Sequence, residues 1–254
     1  MRNSGRVSLE SLNEKANHAI CYPQCTLEDA KQRLRELQEL EIEFLEFTGR
    51  NYIDGLPVLG KGCVGIVVVA YRNRKQAALK IRRTDAPRRT MHHEASMLTR
   101  ANTVDVGPTL LGETVNCLLM EYIEGLLIPE WLEKHDQRTH KTRVRRVLRS
   151  ILQQAWRLDQ AGLDHGELSN GSKHIIVKPD GVPVILDFES GSISRRISNV
   201  TSVSQYLFVG STVAELVEKT LDGINREHLI AALKTYKRSR TSADFLRILE
   251  RCKL

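Results

Sequence analysis

Aromatic residues are scarce, 5% of the 254 residues, which leaves little material for stacking successive bases. Cysteine is sparse and odd in number: Cys21, Cys25, Cys63, Cys117 and Cys252. No C-x-x-C pair occurs, so neither a zinc-ribbon pattern nor an even disulfide framework is on offer, and reduced thiols in a cytoplasmic chain are expected. Cys21 and Cys25 could lend two ligands to a metal but lack a second pair. No apolar run approaches the ~18 residues of a membrane span. The N-terminus has no apolar core of a secretory signal, and its early acids, Glu10 and Glu14, argue against an organelle transit peptide. What is present is charge: 27% of residues are charged and the net is +7. A basic chain favours an anionic partner such as nucleotide, nucleic acid or an anionic surface. With 41% hydrophobic residues, the length allows one large domain or two smaller lobes.

Residues 1–25 are polar without a period and read as a flexible or loosely docked arm. From Thr26 the apolar residues Leu27, Ala30, Leu34, Leu37, Leu40, Phe44 and Leu45 recur at three and four, predicting an amphipathic helix capped by Thr26 and stopped by Gly49. Gly60, Gly62 and Gly65 then form a G-x-G-x-x-G followed by the β-branched run that holds Val67. Glycine lets backbone N–H groups approach phosphate oxygens. Here a strand follows, not the helix that a dinucleotide fingerprint needs. Lys80 lies inside the apolar strand Ala77 to Ile81, and Glu94 falls in a helical segment, Arg89 to Thr99. A strand from Leu118 turns polar at Glu121, Tyr122 and Ile123, as a join between lobes would. The helix Arg143 to Asp159 carries the stripe Val144, Val147, Leu148, Ile151, Leu152 and Ala155. Three further helices are expected at Val200 to Val209, His228 to Tyr236 and Ala243 to Cys252.

The chain is organised around the stretch from Asp164 to Ser192. Glu167 stands in a polar loop opened by His165-Gly166. Ile175-Ile176-Val177 is a short strand, Pro179-Asp180-Gly181 a turn, and Val182 to Leu186 a second strand that ends at Asp187-Phe188. A hairpin with a carboxylate at each mouth suits a reaction needing a bound cation and a positioned hydroxyl.

In this order and spacing, the glycine loop Gly60/Gly62/Gly65/Val67, Lys80 in A-A-L-K-I, Glu94, the Met120-Glu121-Tyr122 hinge and Asp187-Phe188 resemble the protein-kinase superfamily. The departures are H-G-E-L at His165 to Leu168 in place of H-R-D-L, Glu189 in place of the glycine of D-F-G, and no A-P-E element. These look like the atypical RIO-like kinases. The runs K-I-R-R-T-D-A-P-R-R, D-H-G-E-L-S, L-D-F-E-S-G-S and N-V-T-S-V-S-Q-Y-L-F-V-G resemble an archaeal and bacterial set of predicted Ser/Thr kinases that includes an RNA kinase acting on a ribose 2′-hydroxyl of tRNA. The resemblance covers about Leu56 to Gly210.

It implies an α+β, two-lobed protein-kinase-like fold with a minimal RIO-like C-lobe: an arm at 1–25, an N-lobe at 26–120 and a C-lobe at 121–254. It implies an ATP-dependent phosphotransferase with Mg²⁺. Gly60, Gly62, Gly65 and Val67 would cover the nucleotide, Lys80 held by Glu94 would contact its phosphates, and backbone groups near Glu121 and Ile123 would hold the adenine. Asp187 would bind metal. Glu167 stands for the catalytic aspartate, its extra methylene displacing the carboxylate by about 1.5 Å. His174 falls in the place of the second metal ligand, with Asn170 and Ser172 as rivals, since Mg²⁺ prefers oxygen. Basic clusters at Arg82-Arg83, Arg88-Arg89, Lys141 to Arg149, Arg195-Arg196 and Lys234 to Arg240 suit a polyanion, with the first and fourth expected beside the cleft. The implied activity is a cytoplasmic tRNA 2′-O-kinase, reading structured RNA by shape and backbone. A RIO-like Ser/Thr protein kinase with a protein substrate, and a nucleotide-binding assembly factor or pseudokinase, are the alternatives. No membrane partner is expected.

Overall fold

Alternating burial along β-branched strands builds the first of two units. The computed structural model describes residues 6–12, 14–135 and 140–254, and divides the chain into a unit reaching Ser96 and taking in Thr109–Tyr122, and a second of Met97–Pro108 and Ile123–Leu254. Its secondary structure is mixed α and β with antiparallel strand pairing throughout the described residues.

In the first unit the strands β1 (Arg6–Ser8), β2 (Phe44–Glu46), β5 (Gly60–Lys61), β6 (Gly65–Arg72), β7 (Lys75–Arg82), β8 (Leu110–Glu113) and β9 (Cys117–Glu121) form one sheet. Its order is β1-β2-β6-β7-β9-β8, with β5 pairing β6. A two-stranded hairpin, β3 (Asn51–Ile53) and β4 (Leu56–Val58), lies apart from it. Successive side chains of a strand face opposite ways. Ile66, Val68, Ala70, Ala77, Leu79, Ile81, Cys117 and Leu119 accordingly share one core with Leu37 and Leu40. The other face carries Val67, Ala78, Lys80 and Met120, of which Val67, Ala78 and Met120 remain only half-buried.

Helix α1 (Glu14–Ile20) precedes α2 (Leu27–Glu39). Thr26 caps α2 as expected, its hydroxyl accepting from the Asp29 N–H at 3.1 Å in a reciprocal capping box. Two expectations need correction. The helix does not run on to Leu45. At Glu41 the backbone turns left-handed, φ 56°; Leu45 then enters the core from the short strand β2, with Ile42 before it and Phe47 after it also buried. The described residues of the expected arm, 6–12 and 14–25, are docked on the first unit. β1 pairs with β2 from Arg6↔Glu46 to Ser8↔Phe44, and Ala19, Ile20 and Cys21 are fully buried; residues 1–5 and Asn13 of that stretch lie outside the described residues.

The second unit is mostly helical. Its stem is α5 (Lys141–Gln160), whose expected stripe from Val144 to Ala155 is buried, as is Leu158 beyond it. Around it come α4 (Ile128–Glu133), α6 (Asn199–Phe208), α7 (Thr212–Thr220), α8 (Arg226–Ser239) and α9 (Ser242–Arg251). α4 and α7 are short and lack a long apolar period, which hid them in the sequence; α7 is marked by Ser211, whose hydroxyl accepts from the Ala214 N–H at 3.0 Å. The buried Asp159 carboxylate ties three helices, accepting from Asn199 N–H at 3.0 Å and from the Tyr236 hydroxyl at 2.9 Å. Burial pushes its pKa up despite these donors.

The helix α3 (His92–Asn102) starts in the first unit and continues in the second. A boundary at residue 120 therefore misplaces 97–108. Leu98 and Phe188 close on Gly107, at 3.0 and 2.8 Å from where its side chain would start, and Asn102 Nδ2 donates to the carbonyls of Val106 and Pro108. No helix among the described residues is long and apolar enough to cross a membrane.

Candidate active site

In the first unit the glycine run is a hairpin. Gly60 pairs with Val67 and Lys61 with Ile66, and the Gly62 N–H donates to the Gly65 carbonyl at 2.8 Å. Gly65 is required by packing: a side chain there would start 2.9 Å from the Ile81 carbonyl and 3.1 Å from Cγ of Lys80. Val67 lies directly opposite Lys80 in the β6–β7 register. Lys80 Nζ reaches Glu94 at 2.9 Å, with both side chains about 95% removed from solvent (6% and 5% exposed). Burying an ammonium is costly unless a partner compensates, and Glu94, in the first turn of α3, provides it. Glu121 closes β9 on β7, its N–H donating to the Thr109 carbonyl at 2.8 Å and its carboxylate accepting from the Thr109 N–H and hydroxyl. Ile123 follows β9 in the second unit and is half-buried.

In the second unit the strands β10 (Leu126–Leu127), β11 (Ile175–Val177) and β12 (Pro183–Ile185) form a three-stranded sheet. The expected hairpin is β11–β12, with Ile176 opposite Val184 and Gly181 at φ 87° in its turn. Glu167 precedes a short 3-10 helix, Leu168–Lys173, which delivers His174 to the start of β11. Asp187 follows β12 in a left-handed conformation, φ 68°.

These residues meet. His174 Nε2 is 3.1 Å from Oε2 of Glu167, and its Nδ1 is 3.9 Å from Oδ2 of Asp187. His174 is buried, while Ser172 donates to Asn170 at 3.0 Å in a more exposed position. Of the three rivals, His174 is the one beside both carboxylates. His165 is fully buried; its Nε2 bonds the Leu186 carbonyl at 2.9 Å, and its Nδ1 accepts from the Glu167 N–H at 3.4 Å. That pattern belongs to the neutral ring, in keeping with a pKa lowered by burial.

The donor set can be weighed against Mg²⁺. The carboxylates of Asp187 and Glu189 approach within 4.8 Å of one another and supply the oxygen that a hard cation takes. His174 offers nitrogen, which a hard cation takes less readily; its Nε2 is engaged by Glu167, while its buried Nδ1, on the Asp187 side, has no hydrogen-bond partner among the described residues. The fit to Mg²⁺ therefore rests on Asp187 with Glu189, a residue the sequence reading registered only as a departure from D-F-G.

Two basic clusters differ from expectation. Arg82 is spent inside the first unit, donating to Asn116 Oδ1 at 2.8 Å and to the Arg83 and Arg88 carbonyls, and desolvation lowers its pKa. Arg83 forks onto Asp85 at 2.8 and 2.7 Å. Arg195 pairs with the buried Asp164 at 2.7 Å. Arg88 and Arg89 do line a surface cavity of about 360 Å³, with Thr90 and His93, and Arg143 and Arg146 line another of about 390 Å³.

Arg195 also bears on the glycine at position 166. Gly166 adopts φ 94°, and any side chain there would run into the Arg195 guanidinium and the Ser190 carbonyl. The Ser190 hydroxyl donates to Oε1 of Glu167 in a short hydrogen bond. Asp164, Ser190 and the inward role of Arg195 were missed in the sequence, because each depends on a partner more than twenty residues away.

No family model matches the chain. It is similar to the uncharacterized protein MJ1211 of Methanocaldococcus jannaschii, 27% identical over 121 residues, which make up 47% of this chain and 99% of that protein.

Proposed function

We propose that the protein is an ATP-dependent kinase that phosphorylates a ribose 2′-hydroxyl in tRNA, in a two-lobed, kinase-like arrangement. The observation that carries the reading is the buried Lys80–Glu94 pair, directly across the strands from Val67 in the glycine hairpin. An ammonium kept at such desolvation cost, beside backbone that glycine leaves open, suits the phosphates of a nucleotide. The grouping of Glu167, His174 and Asp187 supports transfer over mere binding.

Phosphoryl transfer is chiefly positioning and electrostatics. Lys80 holds the α and β phosphates, Glu94 aims Lys80, and Glu167 orients the acceptor hydroxyl and takes its proton as the new oxygen–phosphorus bond forms and the bond from the γ-phosphorus to the β,γ-bridging oxygen breaks, releasing ADP. Asp187 and Glu189 would hold Mg²⁺, which when bound would offset charge on the phosphate oxygens. Arg88, Arg89, Arg143 and Arg146, which line surface cavities, favour an RNA backbone over a small acceptor.

The test is incubation with γ-labelled ATP, bulk tRNA and a protein mixture. Label in nuclease-resistant dinucleotides is expected. Label in protein would favour a RIO-like protein kinase instead, and nucleotide binding without transfer would leave an assembly factor or pseudokinase.

A further inference from the structure

Glutamate has one more rotatable bond than the aspartate of H-R-D-L, so a loose Glu167 would spread its carboxylate over several positions. Each of its oxygens has its own partner instead: His174 Nε2 at Oε2, 3.1 Å away, and the Ser190 hydroxyl at Oε1. Ser190 is anchored in turn. Its carbonyl accepts from the Arg195 guanidinium at 2.8 Å, and Nε of Arg195 donates to Asp164 Oδ2 at 2.7 Å. The Asp164 side chain is 3% exposed. Its other oxygen accepts from the Ser198 N–H at 2.8 Å and hydroxyl at 3.1 Å, and its backbone pairs with Ser192 in both directions, at 2.9 and 2.8 Å. The chain of contacts runs from a buried carboxylate, through a guanidinium and a backbone carbonyl, to one hydroxyl on Glu167.

We propose that Ser190 is a positioning residue for phosphoryl transfer, fixing Glu167 through Oε1 so that its remaining lone pairs face the acceptor hydroxyl. The inference rests on the kinase reading above. A carboxylate has about four acceptor sites; one bond to each oxygen restrains both torsion and tilt and still leaves room for the acceptor O–H. The second grip lets a glutamate serve where the resembling kinases carry aspartate. It also assigns a purpose to the segment after Asp187: Ser190 to Ser198 folds back on Asp164 and holds the catalytic loop.

Steady-state transfer from γ-labelled ATP to tRNA by the full chain, compared among wild type, Ser190→Ala and Ser190→Thr, tests this. Ser190→Ala is expected to lower kcat roughly tenfold to a hundredfold, the usual range for losing a hydrogen bond to a charged group, with KM for ATP and the thermal midpoint unchanged. Ser190→Thr, which keeps the hydroxyl, should recover most of the loss. In a Glu167→Asp background the shorter side chain no longer reaches, so adding Ser190→Ala should change kcat little. Unchanged kcat in Ser190→Ala overturns the proposal, as does a loss of kcat accompanied by a lower thermal midpoint and not rescued by threonine. Phosphate found on Ser190 itself would make it an acceptor and overturn it too. Transfer to RNA that is indifferent to Ser190 sinks this inference alone, whereas a wild-type protein that moves label to no acceptor sinks the kinase reading with it.

Discussion

The imidazole of His174 serves Glu167: Nε2 lies 3.1 Å from the carboxylate, nearer than the 3.9 Å that separates Nδ1 from Asp187. On the proposed reading, the ring supports Glu167 through Nε2. His174→Ala is expected to reduce transfer about tenfold or more, and His174→Gln, which keeps a donor, to retain more of it. Titrating Mg²⁺ distinguishes the two roles. If high Mg²⁺ restores His174→Ala, the ring is a metal ligand after all.

Lys80 and Glu94 stabilise one another inside the first unit, at 2.9 Å and almost without solvent. Removing one partner leaves the other charge buried alone. Lys80→Ala and Glu94→Ala should each cost about 3 kcal/mol or more in urea unfolding, while the double variant should cost less than the sum of the two. All three should fail to transfer phosphate.

Asp187 sits at φ 68°, a conformation that asparagine tolerates well. Asp187→Asn removes the charge and keeps the backbone. Transfer should vanish while the thermal midpoint moves by no more than about 2 °C; full activity in this variant would remove the metal assignment.

Asp159 is a buried acid whose folded pKa is raised by desolvation. The folded state therefore holds its proton to higher pH than the unfolded state, whose value is near 3.8. The resulting contribution to stability is complete below about pH 3.8 and is lost as pH rises through the folded value. Urea unfolding of wild type and Asp159→Asn across this window should show it: the difference between them is flat at the acid end and shifts in favour of the variant as pH rises. A difference independent of pH would mean that Asp159 titrates alike in both states.

Binding to tRNA should be steeply dependent on salt. If Arg88, Arg89, Arg143 and Arg146 meet phosphates as proposed, affinity measured by filter binding falls about a hundredfold between about 50 and 200 mM salt. Charge reversal at Arg143 and Arg146 should flatten the slope; a slope near zero in the wild type would count against a polyanion.

How much of this was legible beforehand varied with the range of the interaction. The Thr26 cap, the glycine hairpin, the Lys80 strand, the α5 stripe and the β11–β12 turn are local, and periodicity with turn chemistry located all of them. The strand at Phe44–Glu46 was hidden because Leu40, Phe44 and Leu45 satisfy a helical spacing, and pairing with β1 and β6 overrode it. Two arginines of the basic clusters have partners that no local pattern announces. Arg82 and Arg195 look like free cations in the sequence and are committed to Asn116 and Asp164 in the structure.

By itself the sequence determined the order of the elements and the chemical types at the candidate site, since both follow from local spacing: a lysine in an apolar strand, a glutamate where an aspartate stands in the resembling kinases, an aspartate at the end of a hairpin. Only the tertiary structure decided which of those groups touch. That His174 meets Glu167, and that Ser190 and Arg195 turn toward the loop of Glu167, depends on atoms brought within about 3 Å by chain segments distant in sequence, and no local pattern encodes that distance.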